Sequence, residues 1–357
     1  MLPCTCSCTG AWPLVLKACW AIKTRNAIIL APHPRTKRTN ALAVDMLRRV
    51  LTENGLPSDL VIDMSEVSLD NSKELMAQCD LILATGGAGM VDTAYSSGTP
   101  AYGVGAGNAM TIVDDTQDPR VVAEKIRKSK IFDQATSCSS ENGCLVQDTI
   151  YKDMVVAMEC EGGYMCSKVE KALLQKAMWP EGSELNREVV AKPASVIARI
   201  AGIKMPEGKT FLMVEETGVG KEYPFSGEKL SVVLAVYRWS DFNKAIDLVN
   251  AITDYSGAGH SCGIHSTIRE RVLKVAERVH VSRVMVNQPQ CLANSGAWTN
   301  GMPFTLTLGC GTWGGNISSE NITWRHLLNM TWVSFPIASR QPSDEDLFSK
   351  AVRSEKV

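Results

Sequence analysis

Apolar residues in this chain come in short continuous runs, and between the runs they recur at helical spacing. Ala27-Ile28-Ile29-Leu30-Ala31 stops at Pro32, the pattern of a strand buried on both faces. After it, Val44, Leu47, Val50 and Leu51 share one helical face, with Asn40 placed to cap that helix and Gly55 to end it. The pattern then predicts a strand over 59–63, a short helix over 73–78 and a third strand over 80–84. That last strand runs straight into the glycine-rich stretch Thr85 to Gly89. Strand–helix alternation of this kind argues for a parallel sheet with crossover helices. Ligands of such sheets bind at the carboxyl ends of the strands, where Thr85 to Gly89 would lie.

After Asp115 the character changes. A helix over 121–130, ending in Lys and Arg, precedes a polar run and a short apolar strand over 144–146. Further strands are predicted over 154–158, 211–214, 232–237 and 284–287, and helices over 168–176, 193–201, 242–252 and 268–279. This is a second α/β domain, and the alternating stretch from Leu327 to Ala338 leads into a charged tail.

Composition narrows the classes. A length of 357 residues suits two domains, and 45% hydrophobic with 21% charged residues is ordinary for a globular enzyme. A net charge of −1 gives no case for a nucleic acid or a membrane surface as partner. The twelve cysteines are scattered without a regular framework, which favours reduced thiols in a cytoplasm. Lys17 breaks the apolar stretch 11–22 and no basic segment precedes it, so neither a signal peptide nor a membrane helix is expected. Cys4, Cys6 and Cys8 are spaced C-x-C-x-C, not in the C-x₂-C pairs of zinc sites, and no histidine is near until His33. No metal is expected, and residues 1–12 read as a disordered or altered leader.

The reactive candidate is Cys138, in the run Phe132-Asp133-Gln134-Ala135-Thr136-Ser137-Cys138-Ser139-Ser140-Glu141-Asn142. A cysteine on a tight connection with few bulky neighbours suits a nucleophile that a substrate must reach. Thr85-Gly86-Gly87-Ala88-Gly89 follows a strand, and its glycines let backbone amides approach a pyrophosphate. It is not a full G-x-G-x-x-G, so by itself it reads equally as a plain strand-to-helix turn.

The run around Cys138 resembles the catalytic-cysteine segment of the CoA-acylating enzymes of the aldehyde dehydrogenase superfamily. Its wording from Ala135 to Asn142 is nearest to the subgroup acting on sulfoacetaldehyde. Three further stretches agree in order. Ala84 to Met90 and Gly103-Val104-Gly105-Ala106-Gly107-Asn108 resemble the family's nicotinamide-side loops, and Thr305 to Asn316 resembles its C-terminal signature. The similarity runs from about Pro13 to the end.

The resemblance implies an aldehyde dehydrogenase-like α/β fold. A partial Rossmann-type cofactor domain spans 1–115, a catalytic thiol domain 116–326, and an oligomerisation segment with its tail 327–357. It implies oxidation of a short aldehyde to its acyl-CoA, with NAD or NADP as cofactor and coenzyme A as co-substrate. Sulfoacetaldehyde is the first substrate expected, then acetaldehyde or succinate semialdehyde. Cys138 would attack the carbonyl, and its backbone N–H would donate to the developing oxyanion. Thr85, Gly86, Gly87, Gly89 and Gly105 would face the cofactor, and Glu228 would accept from the nicotinamide ribose. His260, in Gly257-Ala258-Gly259-His260-Ser261, would orient groups at the site or meet CoA. Arg35, with Lys37 and Arg38, could receive a phosphate of the cofactor or of CoA, or be solvated charge. His265, His280 and His326 read as structural. Val104 occupies the place where hydrolytic relatives carry a glutamate base, which is consistent with transfer to CoA rather than to water. A homo-oligomer is implied through the C-terminal segment.

The resemblance implies a long N-terminal portion, with an asparagine that supplies a second oxyanion donor, and that portion reads here as absent or replaced by residues 1–12. Missing strands would leave an open sheet edge, and a lost donor costs about 10²–10³ in rate. An inactive fragment of such an enzyme is therefore the rival reading.

Overall fold

The computed structural model describes residues 3–7, 12–182 and 184–348. The first part runs β1 (Pro3–Ser7), α1 (Trp12–Lys23), β2 (Ile28–Pro32), α2 (Lys37–Glu53), β3 (Val61–Asp63), α3 (Leu69–Gln78), β4 (Leu81–Thr85), α4 (Ala88–Tyr95) and β5 (Ala101–Val104). The second runs β6 (Met110–Val113), α5 (Pro119–Ile131), β7 (Gly143–Gln147), α6 (Tyr151–Cys160), β8 (Gly163–Met165), α7 (Lys168–Met178), α8 (Ala194–Ala201) and β9 (Phe211–Glu215). It continues through β10 (Val233–Trp239), α9 (Phe242–Tyr255), β11 (Cys262–His265), α10 (Arg269–Arg278), β12 (Val284–Val286) and α11 (Gln290–Asn294). The chain divides into a large unit to Leu327 and a small one from Leu328. In the small unit, 328–342 carries no regular element and α12 (Asp344–Leu347) is one capped turn.

The large unit holds two parallel sheets, ordered β3-β2-β1-β4-β5 and β12-β11-β6-β7-β10-β9-β8. Alternation along β4 shows why the first sheet is apolar throughout. Leu81 and Leu83 enter one core with Leu14, Ala18, Val44 and Leu51, while Ile82 and Ala84 enter another with Met76 and Ala94. The second sheet is similarly covered, with Ile112, Ile126, Leu145, Phe211, Val236 and Ile246 in its core. Leu145 is fully buried, with its strand between β6 and β10. We expect Leu145→Ala to cost about 2–5 kcal/mol, read as a lower urea midpoint with an unchanged slope.

The parallel α/β architecture matches the sequence expectation, and several local readings are corrected. Residues Pro3–Ser7 of the supposed leader form the central strand of the first sheet. They pair in register with Ile29–Pro32 on one side and Leu81–Thr85 on the other. A chain of small and β-tolerant residues is enough for a strand whose backbone is bonded on both sides. Cys8 lies outside the described residues. The strand expected over 154–158 is the helix α6, whose buried residues Tyr151, Met154, Ala157 and Met158 are spaced three and four apart. The five-residue window was too short to show that period. Asn40 does not cap α2, which starts at Lys37. It is buried in the first turn and donates to the Asp63 carboxylate. Val50 points outward, and Asp59 and Leu60 form a short 3₁₀ turn before β3. The second sheet takes up the chain at Met110, ahead of residue 115.

Candidate active site

The connection 105–109 carries the chain from one sheet to the other, and the chemistry collects around it. Cys138 lies on the turn between α5 and β7. That turn enters through three successive left-handed residues, Asp133, Gln134 and Ala135, with φ of 48°, 52° and 58°. Non-glycine residues persist in that region only where the surroundings over-determine them. Here the Thr136 N–H and hydroxyl donate to the Asp133 carbonyl at 3.1 and 2.7 Å, and the hydroxyl also donates to its carboxylate.

Behind the turn is a buried polar floor. Lys130 Nζ donates to the Glu141 carbonyl at 2.8 Å, the Gln290 N–H to Glu141 Oε1 at 3.1 Å, and the Cys291 N–H to Ser129 Oγ at 2.8 Å. Burial pushes the Glu141 carboxyl up and the Lys130 ammonium down, so both move toward neutrality. The Asn142 N–H donates to the Ala109 carbonyl at 2.8 Å, and Asn142 Oδ1 accepts from the Lys229 N–H at 3.1 Å. These bonds hold the cysteine turn against both the inter-sheet connection and the segment carrying Glu228.

His260 stands two residues before β11, buried, with Nε2 3.0 Å from Cys138 Sγ. Its Nδ1 lies 2.9 Å from Ser261 Oγ, which also accepts from Asn294 Nδ2 at 3.3 Å. Burial, helped by the charge of Arg283, holds its pKa down at about 3. The ring is therefore neutral at physiological pH, with a lone pair on one of its two nitrogens. Gly107 closes the other side. Its N–H donates to Glu228 Oε1 at 3.2 Å, and burial pushes the Glu228 carboxyl up to about 7.

A Cβ on Gly107 would lie 2.3 Å from the Cys138 carbonyl oxygen and 2.9 Å from His260 Cδ2. At these distances the Cys138 backbone and the ring must both shift, which displaces the thiol and the imidazole. We expect Gly107→Ala to fold and to lose about 10²-fold in kcat/KM, with the melting temperature measured beside it as control.

Thr85, Gly86, Gly87 and Gly89 sit where β4 passes into α4. Gly87 is the residue before the first helical turn, and the Gly86 N–H donates to the Val104 carbonyl at 3.2 Å. Thr85 Oγ1 accepts from the buried Lys17 Nζ at 2.9 Å. The Gly105 N–H faces Asn316 Oδ1 at 3.4 Å and the Cys310 thiol. Val104 is buried at the end of β5.

The structure thus brings Cys138, His260 and Glu228 around one connection, together with Gly105. Arg35 is elsewhere. It is exposed, 3.6 Å from Glu188 and bonded to the Arg187 carbonyl at 3.5 Å, and none of its bonds reaches this cluster. His265 is buried, His280 stacks on Trp313 at 4.2 Å, and His326 packs edge-on to Tyr102. Sequence reasoning missed Asn294 and Arg283, and did not single out Ser261 or Gly107 from their segments. Only the last left a signal, being one of three glycines within five residues.

No family model matches the chain. Among curated proteins, it is 45% identical over 337 residues to a sulfoacetaldehyde dehydrogenase of Acholeplasma sp, covering 93% of this chain and 69% of that protein. It is 44% identical over 330 residues to a sulfoacetaldehyde dehydrogenase (acylating) of Cupriavidus necator, covering 92% and 67%. Among solved structures, an acetylating aldehyde dehydrogenase from Geobacillus thermoglucosidasius superposes with a TM-score of 0.91 at 35% identity, covering 96% of this chain and 76% of that one.

Proposed function

Since this chain belongs to the CoA-acylating aldehyde dehydrogenases, we propose that Cys138 oxidises a short aldehyde to its acyl-CoA, with His260 as the proton acceptor and NAD or NADP as the oxidant. The observation that carries this reading is the 3.0 Å approach of His260 Nε2 to Cys138 Sγ. A thiol is activated by an adjacent base, and this base is neutral and aimed at it. In the Nδ1–H tautomer the ring donates to Ser261 Oγ, which leaves Nε2 free to accept.

The cofactor side fits a dinucleotide. α4 presents its N-terminal amides at the carboxyl end of β4, and a Cβ placed on Gly87 or Gly89 would meet nothing within 4 Å. Backbone there is open to a pyrophosphate, which a helix start favours. Glu228 would accept from the ribose and Gly105 would lie along the nicotinamide. Bound there, the nicotinamide accepts a hydride.

The chain's own steps follow. His260 Nε2 takes the Cys138 proton, and the sulfur adds to the aldehyde carbonyl while the Cys138 N–H faces the developing oxyanion. Departure of hydride leaves a thioester on Cys138. Val104 cannot activate water against that thioester, so it awaits the CoA thiol; His260, having released its first proton to water, takes the CoA proton as that sulfur adds, and Cys138 leaves as the thiolate. Sulfoacetaldehyde is the favoured substrate because the two curated relatives above carry that name at 45% and 44% identity. Acetaldehyde and succinate semialdehyde come next.

A reducing cytoplasm suits a site that needs its thiol. No helix among the described residues is long and apolar enough to cross a membrane. The small unit exposes Met330, Trp332, Val333, Phe335 and Ile337 on 328–342, which supports its association with another copy.

The test is nicotinamide reduction by purified protein with each aldehyde, with and without CoA. CoA-dependent turnover supports the reading. CoA-independent production of free acid would sink the acylating assignment, and no turnover in folded protein would favour the inactive fragment.

A further inference from the structure

Arg283, just before β12, is 5% exposed, and Nε, Nη1 and Nη2 of its guanidinium all donate. Nε donates to Asn321 Oδ1 at 2.7 Å and Nη1 to the His260 carbonyl at 3.2 Å. Nη2 donates to the carbonyls of Gly309, Ser319 and Glu320 at 2.8, 3.2 and 2.9 Å. All five partners are amide oxygens, and among the described residues no carboxylate lies within ion-pair distance of the guanidinium. A buried cation without a counter-ion is costly, and its field is weakly screened. The guanidinium is one residue's backbone away from the thiol, since it holds the carbonyl of the same His260 whose ring lies 3.0 Å from Cys138 Sγ, and its charge lowers the pKa of that ring.

Of the other titratable groups around the pair, the two thiols stay protonated while the Glu228 carboxyl ionises through the neutral range. Cys291 and Cys310 are held up at about 11 by burial, and Glu228, bonded to Gly107, is pushed up to about 7. We propose that Arg283 is a positioning residue for the Cys138–His260 pair: its bond to the His260 carbonyl sets the ring on the sulfur, and its uncompensated charge favours a Cys138 thiolate beside a neutral His260. The thiol proton passes to Nε2 and on to water, so the sulfur is charged before the aldehyde arrives. This rests on the reading of Cys138 as nucleophile and His260 as its base.

The experiment is iodoacetamide alkylation of the Cys138 peptide, followed by mass spectrometry from pH 6 to 9.5, on the full chain and on Arg283→Met and Arg283→Lys. Melting temperatures are measured alongside. We expect Arg283→Met to slow alkylation at pH 7 at least tenfold, with the deficit closing as the pH rises. Arg283→Lys, which keeps the charge but cannot reach five oxygens, should recover most of the alkylation rate while kcat stays depressed. A folded Arg283→Met with the wild-type pH profile overturns the proposal. Should that variant not fold, Arg283→Lys decides: wild-type kcat with wild-type alkylation overturns the proposal, and lowered kcat with retained alkylation supports it. His260→Ala in the same series separates the two ideas, because an unchanged alkylation profile there would sink the His260 reading itself.

Discussion

Cys138→Ala should reduce CoA-dependent aldehyde oxidation by at least about 10⁴-fold, the scale seen when a covalent nucleophile is removed. No neighbouring thiol can replace it. Cys291 and Cys310 flank the site, but burial holds them protonated near 11, and Cys144, Cys166 and Cys262 are buried and likewise pushed up. The variant should keep the wild-type melting temperature, because Cys138 is only half-buried on a turn held by its neighbours' bonds. Incubation with aldehyde and nicotinamide but no CoA should leave an acyl mass on the Cys138 peptide of the wild type and none on the variant. Retained turnover in Cys138→Ala would place the nucleophile elsewhere.

His260→Ala should lower kcat/KM by about 10²–10⁴-fold, the usual contribution of a positioned base. A stability effect accompanies it, with a definite sign. The pKa of His260 falls from 6.5 to about 3 on folding, chiefly by burial. The unfolded chain therefore binds more protons than the folded one between those values. The stability tied to the neutral ring is complete above 6.5 and is lost as the pH falls below it, by roughly 1.4 kcal/mol per pH unit at most. Urea midpoints at pH 7.5 and 5 should drop less in His260→Ala than in the wild type. His265, also held at about 3, keeps part of the slope in both. An equal drop in the two proteins would mean that His260 titrates normally.

Much of this molecule was legible as sequence because parallel sheets write themselves as short apolar runs. β2, β4, β7, β9, β10 and β12 and most helices fall within a few residues of their expected places. The failures were those of a pattern read too locally. α6 needed ten residues to show its period, and β1 has no apolar run at all, only a register supplied by β2 and β4. Cys138 and His260 were named because a family resemblance singled them out. Their contact was invisible, since 122 residues separate them and only the pairing of β11 with β6, and β6 with β7, brings them together. Arg283 had no signal, because an arginine before Val284-Met285-Val286 looks like any charge at a strand entrance.

The position of β1 has a consequence for assembly. The first described residues of the chain fill the middle of their sheet, and Pro3 pairs with Leu81. The helices and strands between them must be made before that slot exists. Loop closure over such a span slows folding relative to a local hairpin. Until it closes, β2 and β4 each present an unpaired edge open to association with other chains. Substitutions that weaken the pairing of residues 3–7 should therefore lower the yield of folded protein more than they lower its melting temperature.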